Sequence, residues 1–365
     1  MPKAIGYITA NYTTKSTSVL TESRPVASLP YLGRYRLVDF ALSNMVNAKI
    51  TSVGLVMPFN YRSLTDHVGA GKDWGLSRKK GGLFSLPGSA FGTTRSGARF
   101  LVRDMIANKA YFQRTTAEYV IMSSANFVYN MDYRDLIAAH EANDADITAV
   151  VQTAPGDAAD VMSFATEEGR VTGIKHGTVA GNTAFIDLFV IGREKLLEIL
   201  DWYTATDYLD LFEAIDGEWG RVNVQTYEFN GYCAPIFERN DYYDSNMDML
   251  KQAVTDELFT PERPIRTKAH DNAPAKFETG SHVTNSRLSG SDRIYGTVTG
   301  SILGRSVTVE SGAVVRNSVV MQNCVVKSGA VIENAIIDRN NVIPAGTELR
   351  GTTEDLLIME KGDNE

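Results

Sequence analysis

The sequence predicts an α/β domain with a mostly parallel sheet, followed by a left-handed parallel β-helix built from hexapeptide repeats. Two patterns indicate this class. In the first two-thirds of the chain, apolar segments of strand length alternate with segments of helical periodicity. In the last third, small aliphatic residues recur at every sixth position.

The alternating segments define the elements of the first domain. The strand candidates are 4–8, Ser52–Met57, 119–122 and 146–151. The helix candidates are Leu37–Asn47, 100–111, 134–143 and 194–203. Ligands of such sheets bind at the carboxyl ends of the strands, so the loops after Ile8, Met57 and Met122 are expected to border a pocket.

The repeat in the last third has no interruption. Its members are Val307, Ala313, Val319, Val325, Val331, Ile337 and Ile343. A period of six fits neither an α-helix nor an ordinary strand, but it fits short parallel strands that coil in a triangle. Antiparallel strands with Asn/Gly turns are the alternative, and the unbroken register favours the β-helix. A looser run from Val283 to Ile302 indicates the opening coils.

Composition limits the function classes. The 365 residues suggest two domains, assigned to 1–260 and 281–365, with a proline-containing linker at 261–280. A net charge of −8 argues against a nucleic-acid clamp, and no apolar run approaches the roughly 20 residues of a membrane span. Two distant cysteines, Cys233 and Cys324, indicate neither a disulfide framework nor a metal knuckle. The N-terminus is typical of a core strand rather than a signal peptide, so a cytoplasmic location is expected.

Several segments are similar, in order, to motifs of bacterial glucose-1-phosphate adenylyltransferase (ADP-glucose pyrophosphorylase). They are GRYRLVDFALSN at 33–44 (family GGKYRLIDFALSN), GAGKDWGL at 69–76 (GxGKxWDL), YNMDY at 129–133 (YKMDY), NMD at 246–248 (ANMDL), and IDR at 337–339 with IPAG at 343–346 (IDR…IPEG). The resemblance implies a Rossmann-like nucleotidyltransferase domain before the β-helix. It also implies a reaction in which ATP and glucose 1-phosphate give ADP-glucose and pyrophosphate.

The resemblance places the two Mg²⁺-binding aspartates of the family on Asn126 and Pro235. An amide and a proline ring replace two carboxylates, and Mg²⁺ at such sites depends on one or two carboxylates plus substrate phosphates. No metal and no other cofactor is therefore expected. We expect the chain to be inactive or very weak alone.

Other family contacts are altered as well. The glycine-rich phosphate loop corresponds to TANYTTK at 9–15, and the family's GTADA loop falls on 95–98. The lysine of the family's RAKP motif falls on Val26. The lysine that holds the sugar phosphate falls near Gly177, and Lys175 lies close enough to be its vestige.

The segment RPVASLP at 24–30 is similar to the RPVAALP of the D-type subunit of this family. That resemblance implies a regulatory, catalytically impaired subunit of glycogen biosynthesis in a mixed tetramer with a catalytic paralogue, or with itself. Two rivals stay open: an active sugar-phosphate nucleotidyltransferase with an unconventional metal site, and an acyltransferase. The acyltransferase needs a histidine between neighbouring coils, yet His282 stands at the start of the coil and none follows Val307.

Three arginines match family positions that line an effector-anion site between the domains: Arg24, Arg36 and Arg339. Guanidinium groups from both domains would bind phosphate or sulfate, free or on a phosphorylated metabolite. Surface arginines in weak ion pairs are the alternative. Asp132 is predicted to cap the helix that follows it. The basic run at 78–80 is interpreted as a solvated loop.

Overall fold

The computed structural model describes residues 3–10, 18–88, 99–203 and 209–362. Within them, the first domain contains the strands β1 (Ala4–Thr9), β2 (Pro30–Tyr31), β3 (Tyr35–Arg36), β4 (Ser52–Met57), β5 (Gly82–Pro87), β6 (Tyr119–Ser124), β7 (Phe127–Tyr129), β8 (Ile147–Thr153), β9 (Ala158–Glu167), β10 (Arg170–Thr178), β11 (Thr183–Gly192), β12 (Val224–Glu228) and β13 (Cys233–Pro235). The main sheet has the order β5-β4-β1-β6-β11-β8-β12-β10-β9. Strands β10 and β11 run against the others, so the predicted mostly parallel sheet is confirmed.

The described helices are α1 (Ser18–Thr21), α2 (Leu37–Asn47), α3 (Arg62–Val68), α4 (Val102–Ala107), α5 (Lys109–Gln113), α6 (Tyr133–Ala142), α7 (Arg193–Asp201), α8 (Leu211–Ala214), α9 (Arg239–Asp248) and α10 (Gln252–Leu258). The predicted single helix at 100–111 was wrong, because the chain breaks between α4 and α5 at Asn108. Its Nδ2 donates to the carbonyl of Asp104 at 2.8 Å, so the side chain competes with the helical backbone. Asp132 caps α6 as predicted, accepting a hydrogen bond from the Arg134 amide.

Two apolar layers cover the sheet, one on each face. Helices α2, α3 and α6 pack with one layer, and α4, α5 and α7 pack with the other. Along β1, Ile8 contributes to the first layer and Tyr7 to the second. Both faces of β1 are therefore buried, as is usual for a central parallel strand. No helix among the described residues is long and apolar enough to cross a membrane.

The second domain, called the coil below, is the predicted parallel β-helix. Its strands are β14 (Lys276–Phe277), β15 (His282–Thr284), β16 (Arg293–Ile294), β17 (Thr297–Thr299), β18 (Ile302–Leu303), β19 (Thr308–Val309), β20 (Val314–Arg316), β21 (Val319–Val320), β22 (Val325–Val326), β23 (Val331–Glu333), β24 (Ala335–Ile337), β25 (Val342–Ile343), β26 (Glu348–Arg350) and β27 (Leu357–Met359). They form three parallel sheets, β14-β16-β19-β22-β25, β15-β17-β20-β23-β26 and β18-β21-β24-β27. Each sheet is one wall of the triangle.

One full turn of the coil is slightly shorter than three six-residue repeats. Stacked residues such as Asn323 and Asn340 are 17 positions apart, one short of three six-residue steps. A strict step of six therefore misses the inward-facing position at some of its members, although Ile337 and Ile343 are again fully buried. Val325 and Val331 are half-buried, and the next residue of each strand, Val326 or Ile332, points into the coil instead.

A shared apolar cluster joins the two domains. Leu29 and Phe40 of the first domain belong to the same cluster as Met321 and Ile336 of the coil. The segment 261–275 between them has neither helix nor strand, and β14 then pairs with the coil. The exact domain bounds given above stay a prediction.

Candidate functional site

Asn126 and Pro235, the two positions predicted to replace metal ligands, lie side by side. Asn126 follows β6 at the carboxyl edge of the sheet, where the Ala125 amide donates to the carbonyl of Thr9 at the end of β1. Pro235 ends β13, which pairs antiparallel with β7. The carbonyl of Asn126 accepts a 2.8 Å hydrogen bond from the Ile236 amide. The structure therefore brings together the two positions that sequence comparison paired.

The donors at this edge do not suit Mg²⁺. Asn126 is 1% exposed and its Nδ2, a hydrogen-bond donor, is buried without a partner among the described residues. Pro235 has no side-chain ligand. The described parts of the chain hold no group of three or more His, Cys, Asp or Glu side chains that could bind a metal ion. These residues do not fit the ion that the family resemblance implies.

A buried ion pair lies beside this edge. The Arg99 Nε is 2.6 Å from the Asp187 Oδ2, and both side chains are almost fully buried. Ser124, the last residue of β6, donates its hydroxyl to the same carboxylate at 3.0 Å. The Arg99 guanidinium also lies over the ring of Phe237, 4.3 Å from the ring centre. The Arg99 guanidinium is therefore a fixed internal cation on this side of the sheet edge.

Sequence reasoning missed Asp187 because it stands within a strand. Its φ is +52°, and the register of β11 against β8 shifts between Phe185 and Phe189, so a local irregularity turns the carboxylate inward. Burial raises the pKa of Asp187 to about 6, while Arg99 and Ser124 act to lower it. A charged residue in an otherwise apolar strand was the one signal available.

The remaining predicted contacts are more scattered. Lys175 is exposed on β10, and the described residues give its side chain no hydrogen bond or ion pair. The structure therefore does not connect Lys175 with Asn126 or Pro235. The altered loop at 11–15 and the segment at 95–98 lie outside the described residues.

The three predicted effector arginines meet at the boundary of the two domains. Arg24 is 1% exposed, its Nε donates to the Leu20 carbonyl at 2.9 Å, and its guanidinium binds the Asp338 carboxylate of the coil. The alternative of an exposed surface pair is wrong for Arg24. Its charge is matched by an internal carboxylate, so Arg24 connects the domains.

The positive charges of Arg36 and Arg339 are less well compensated by carboxylates than that of Arg24. Arg36 donates to the Ser63 carbonyl at 2.7 Å, and its pKa is lowered to about 10, chiefly by burial and also by Arg24, Arg339 and Arg305, with Asp39 opposing. Burial and the neighbouring Arg24 lower the pKa of Arg339, against the effect of its neighbour Asp338. The Arg339 Nε is buried without a hydrogen-bond partner in the described residues.

Further cations, which sequence reasoning missed, enlarge this cluster. Arg305 of the coil donates to the Arg34 carbonyl at 2.8 Å, and burial and Arg34 lower its pKa. Burial lowers the pKa of His270, and nearby Arg305 and Lys268 lower it further. These residues come from turns and from the segment between the domains, where no periodic pattern indicates what they face. We call Arg36, Arg305, Arg339, Lys268 and His270 the interdomain cluster.

Asp39 is the main carboxylate facing the cluster from the first domain. It is fully buried and is already used twice, by the Arg36 amide at 2.9 Å and by the His67 ring at 2.6 Å. Several like charges held together in a protein of net charge −8 favour an anion between them.

Comparison with known proteins agrees with this architecture. Residues 18–174 match the nucleotidyl transferase family, and residues 273–355 match the GlmU-like C-terminal hexapeptide family. The two matches correspond to the sheet domain and to the coil.

Three relatives are similar to this chain over most of its length. The glycogen biosynthesis protein GlgD of Bacillus subtilis (strain 168) is 33% identical over 350 residues, 94% of this chain and 91% of that protein. GlgD of Geobacillus stearothermophilus is 33% identical over 86% of this chain and 83% of that protein. The glucose-1-phosphate adenylyltransferase of Thermomicrobium roseum is 33% identical over 74% of this chain and 65% of its own length. The chain therefore belongs to the glucose-1-phosphate adenylyltransferase family, with the GlgD glycogen biosynthesis proteins among its relatives, and its role lies in glycogen biosynthesis.

Proposed function

We propose that this chain is a regulatory, catalytically impaired subunit of glucose-1-phosphate adenylyltransferase, which acts by modulating a catalytic paralogue. The observation that carries the proposal is that Asn126 and Pro235 lie close together at the carboxyl edge of the sheet, where neither side chain supplies a negative charge. The internal Arg99–Asp187 pair beside them supports the same conclusion.

The expected loss of activity is large. A bound metal supplies several kcal/mol of charge stabilisation in phosphoryl chemistry. Each 1.4 kcal/mol is worth about tenfold in rate. Without both carboxylates, turnover by the chain alone falls by orders of magnitude, and its value to the cell lies in what it does to a partner.

The interdomain cluster is the regulatory part of this proposal. Its ligand is an anion of the phosphate or sulfate class, free or carried by a phosphorylated metabolite, bound by Arg36 and Arg339 while Arg24 connects the domains through Asp338. Because the cluster contains residues of both domains, an anion there changes their mutual arrangement. In a mixed tetramer that change is passed on through subunit contacts.

The test compares effector curves of mixed complexes. The catalytic paralogue from the same genome is assembled with the wild-type chain or with Arg36→Ala, and pyrophosphate release is followed against rising phosphorylated effector. We expect Arg36→Ala to move the midpoint to at least about tenfold higher effector, since it removes one charge-assisted contact of about 1.5–3 kcal/mol.

Arg293→Ala is the matched control, because Arg293 is an exposed coil arginine outside the cluster. It should leave the curve in place. An Arg36→Ala complex with the wild-type curve would remove the cluster from the proposal.

A further inference from the structure

A second concave region lies away from the sites described above. Its volume is about 680 Å³, and it opens between β5, the edge strand of the main sheet, and helix α5. The size is in the range of small-molecule sites. The region is therefore large enough for a metabolite of moderate size.

Two cations face this cavity. Lys80 and Arg114 line it, and no Asp or Glu is found among its described lining residues. Neither side chain makes an ion pair in the described part of the chain. Uncompensated positive charge in a concave site of an acidic protein favours an anionic ligand.

The two glycines that follow Lys80 fix the backbone beside it. The Gly82 amide donates to the Thr51 carbonyl at 2.7 Å, and Gly81 has a φ of +75°. A Cβ at Gly81 would lie 2.6 Å from the same carbonyl oxygen, so the close approach needs glycine. The basic run at 78–80 is exposed and has neither helix nor strand, as the solvated-loop interpretation expects, and its last lysine also lines this cavity.

Two aromatic residues, Phe84 and Tyr111, line the cavity together with the two cations. Phe84 of β5 is 41% exposed although it is a large apolar side chain, and its ring centre is 5.6 Å from that of Tyr111. The Tyr111 hydroxyl donates to the Gly6 carbonyl at 2.8 Å, which fixes the ring. Thr115 and Thr116 also line the cavity. An exposed ring face beside cations and hydroxyls suits a planar ring attached to a sugar phosphate.

The cavity is separate from the interdomain cluster. Leu86 and Tyr111, which line it, pack with the apolar layer under α4, α5 and α7. Arg36 immediately precedes α2, which packs with the layer on the opposite face of the sheet. A ligand in the cavity and an anion in the cluster therefore bind to different faces.

We propose that this cavity is a second binding site, for a nucleoside phosphate. The base stacks on Phe84, the phosphates bind Lys80 and Arg114, and the threonine hydroxyls contact the sugar. The site does not depend on the regulatory proposal above, because it uses no residue of the interdomain cluster.

The test is isothermal titration calorimetry of the full chain with ADP. Adenosine serves as the probe without phosphate, and tripolyphosphate as the probe without a base. We expect ADP to bind more tightly than either partial ligand. Lys80→Ala/Arg114→Ala should weaken ADP binding at least tenfold, and Phe84→Ala should weaken ADP while leaving tripolyphosphate unchanged.

Lys79→Ala is the control: it removes the neighbouring exposed lysine, which does not line the cavity, and it should bind ADP as the wild type does. Arg36→Ala reports whether ADP binds at the interdomain cluster instead, and circular dichroism checks that every variant is folded. The proposal is overturned if ADP does not bind, if the double variant binds it normally, or if Arg36→Ala alone abolishes binding.

Discussion

Asn126 shows how one side chain changes the chemistry at the carboxyl edge of the sheet. An amide is close to a carboxylate in size, so the local backbone keeps its contacts to Thr9 and Ile236. What it lacks is charge: an amide has one neutral carbonyl oxygen where a carboxylate has two oxygens that share a negative charge. The fold around the position is thus compatible with a metal site that the residues do not provide.

Carboxylates placed at positions 126 and 235 should bind Mg²⁺, and this binding can be measured separately from activity. In the wild-type chain, Mg²⁺ should leave the melting temperature unchanged. In Asn126→Asp/Pro235→Asp, two neighbouring carboxylates, one buried and one half-buried, repel each other and lower stability, and Mg²⁺ recovers it. At a Mg²⁺ concentration 100 times its Kd, the gain is about 2.7 kcal/mol. Differential scanning calorimetry with and without Mg²⁺ measures it.

The single variant Asn126→Asp is the control, and with one carboxylate it should respond less than the double variant. A wild-type melting temperature that rises with Mg²⁺ would show that other acidic groups bind the ion. That result would contradict the assignment of these two positions.

At this scale, motif comparison identified Asn126, Pro235 and the three arginines, because each lies at a fixed distance from a recognisable segment. It did not identify Asp187 or its ion pair with Arg99. That pair depends on the irregular register of β11 and on a positive φ in a non-glycine residue. Neither property is visible in a pattern of residue types.

Among the elements, the turn between β2 and β3 is where the first domain fits most tightly against the coil. Gly33 in this turn has a φ of +69°, and a Cβ there would collide with the Leu303 carbonyl and the Ser289 hydroxyl. Arg305 of the coil donates to the carbonyl of the next residue, Arg34. The turn therefore positions both halves of the interdomain cluster.

Gly33→Ala should destabilise the chain more than the same change at Gly346. Both glycines have a φ of +69°, but a Cβ at Gly346 meets nothing within 4 Å. The shared left-handed conformation costs about 1–2 kcal/mol in each variant. Overpacking against the coil adds about 1–3 kcal/mol in Gly33→Ala. Urea unfolding of the two variants side by side gives the difference, and equal losses would show that the turn does not touch the coil tightly.

The elements were predictable where a period is long and uninterrupted. Leu37–Asn47 and Ser52–Met57 have the predicted bounds. The coil was predictable as a class, but its 17-residue repeat was not, because a six-residue step matches the residue types and misses the inward-facing position only at some members, such as Val325 and Val331. The break at Asn108 was missed since it depends on a side-chain hydrogen bond to the backbone.

Over the whole molecule, positive and negative charge are unevenly distributed. The chain carries a net charge of −8, yet Arg36, Arg305 and Arg339 lie together between the domains. We propose that an anion bound there relieves the repulsion between these arginines, so that the ligand favours the arrangement in which both domains contact it. Such a ligand shifts a conformational equilibrium only by its differential affinity for the two arrangements.

We infer that this chain is catalytically inactive alone and that it regulates the catalytic paralogue when the two form a complex. Steady-state pyrophosphate release, with ATP, Mg²⁺ and glucose 1-phosphate, tests it most directly on three samples: the chain alone, the catalytic paralogue alone, and the two co-purified. We predict no release above background from the chain alone, and an effector curve for the complex that differs from that of the paralogue. Turnover by the chain alone, or a complex whose curve matches that of the paralogue, would contradict the account.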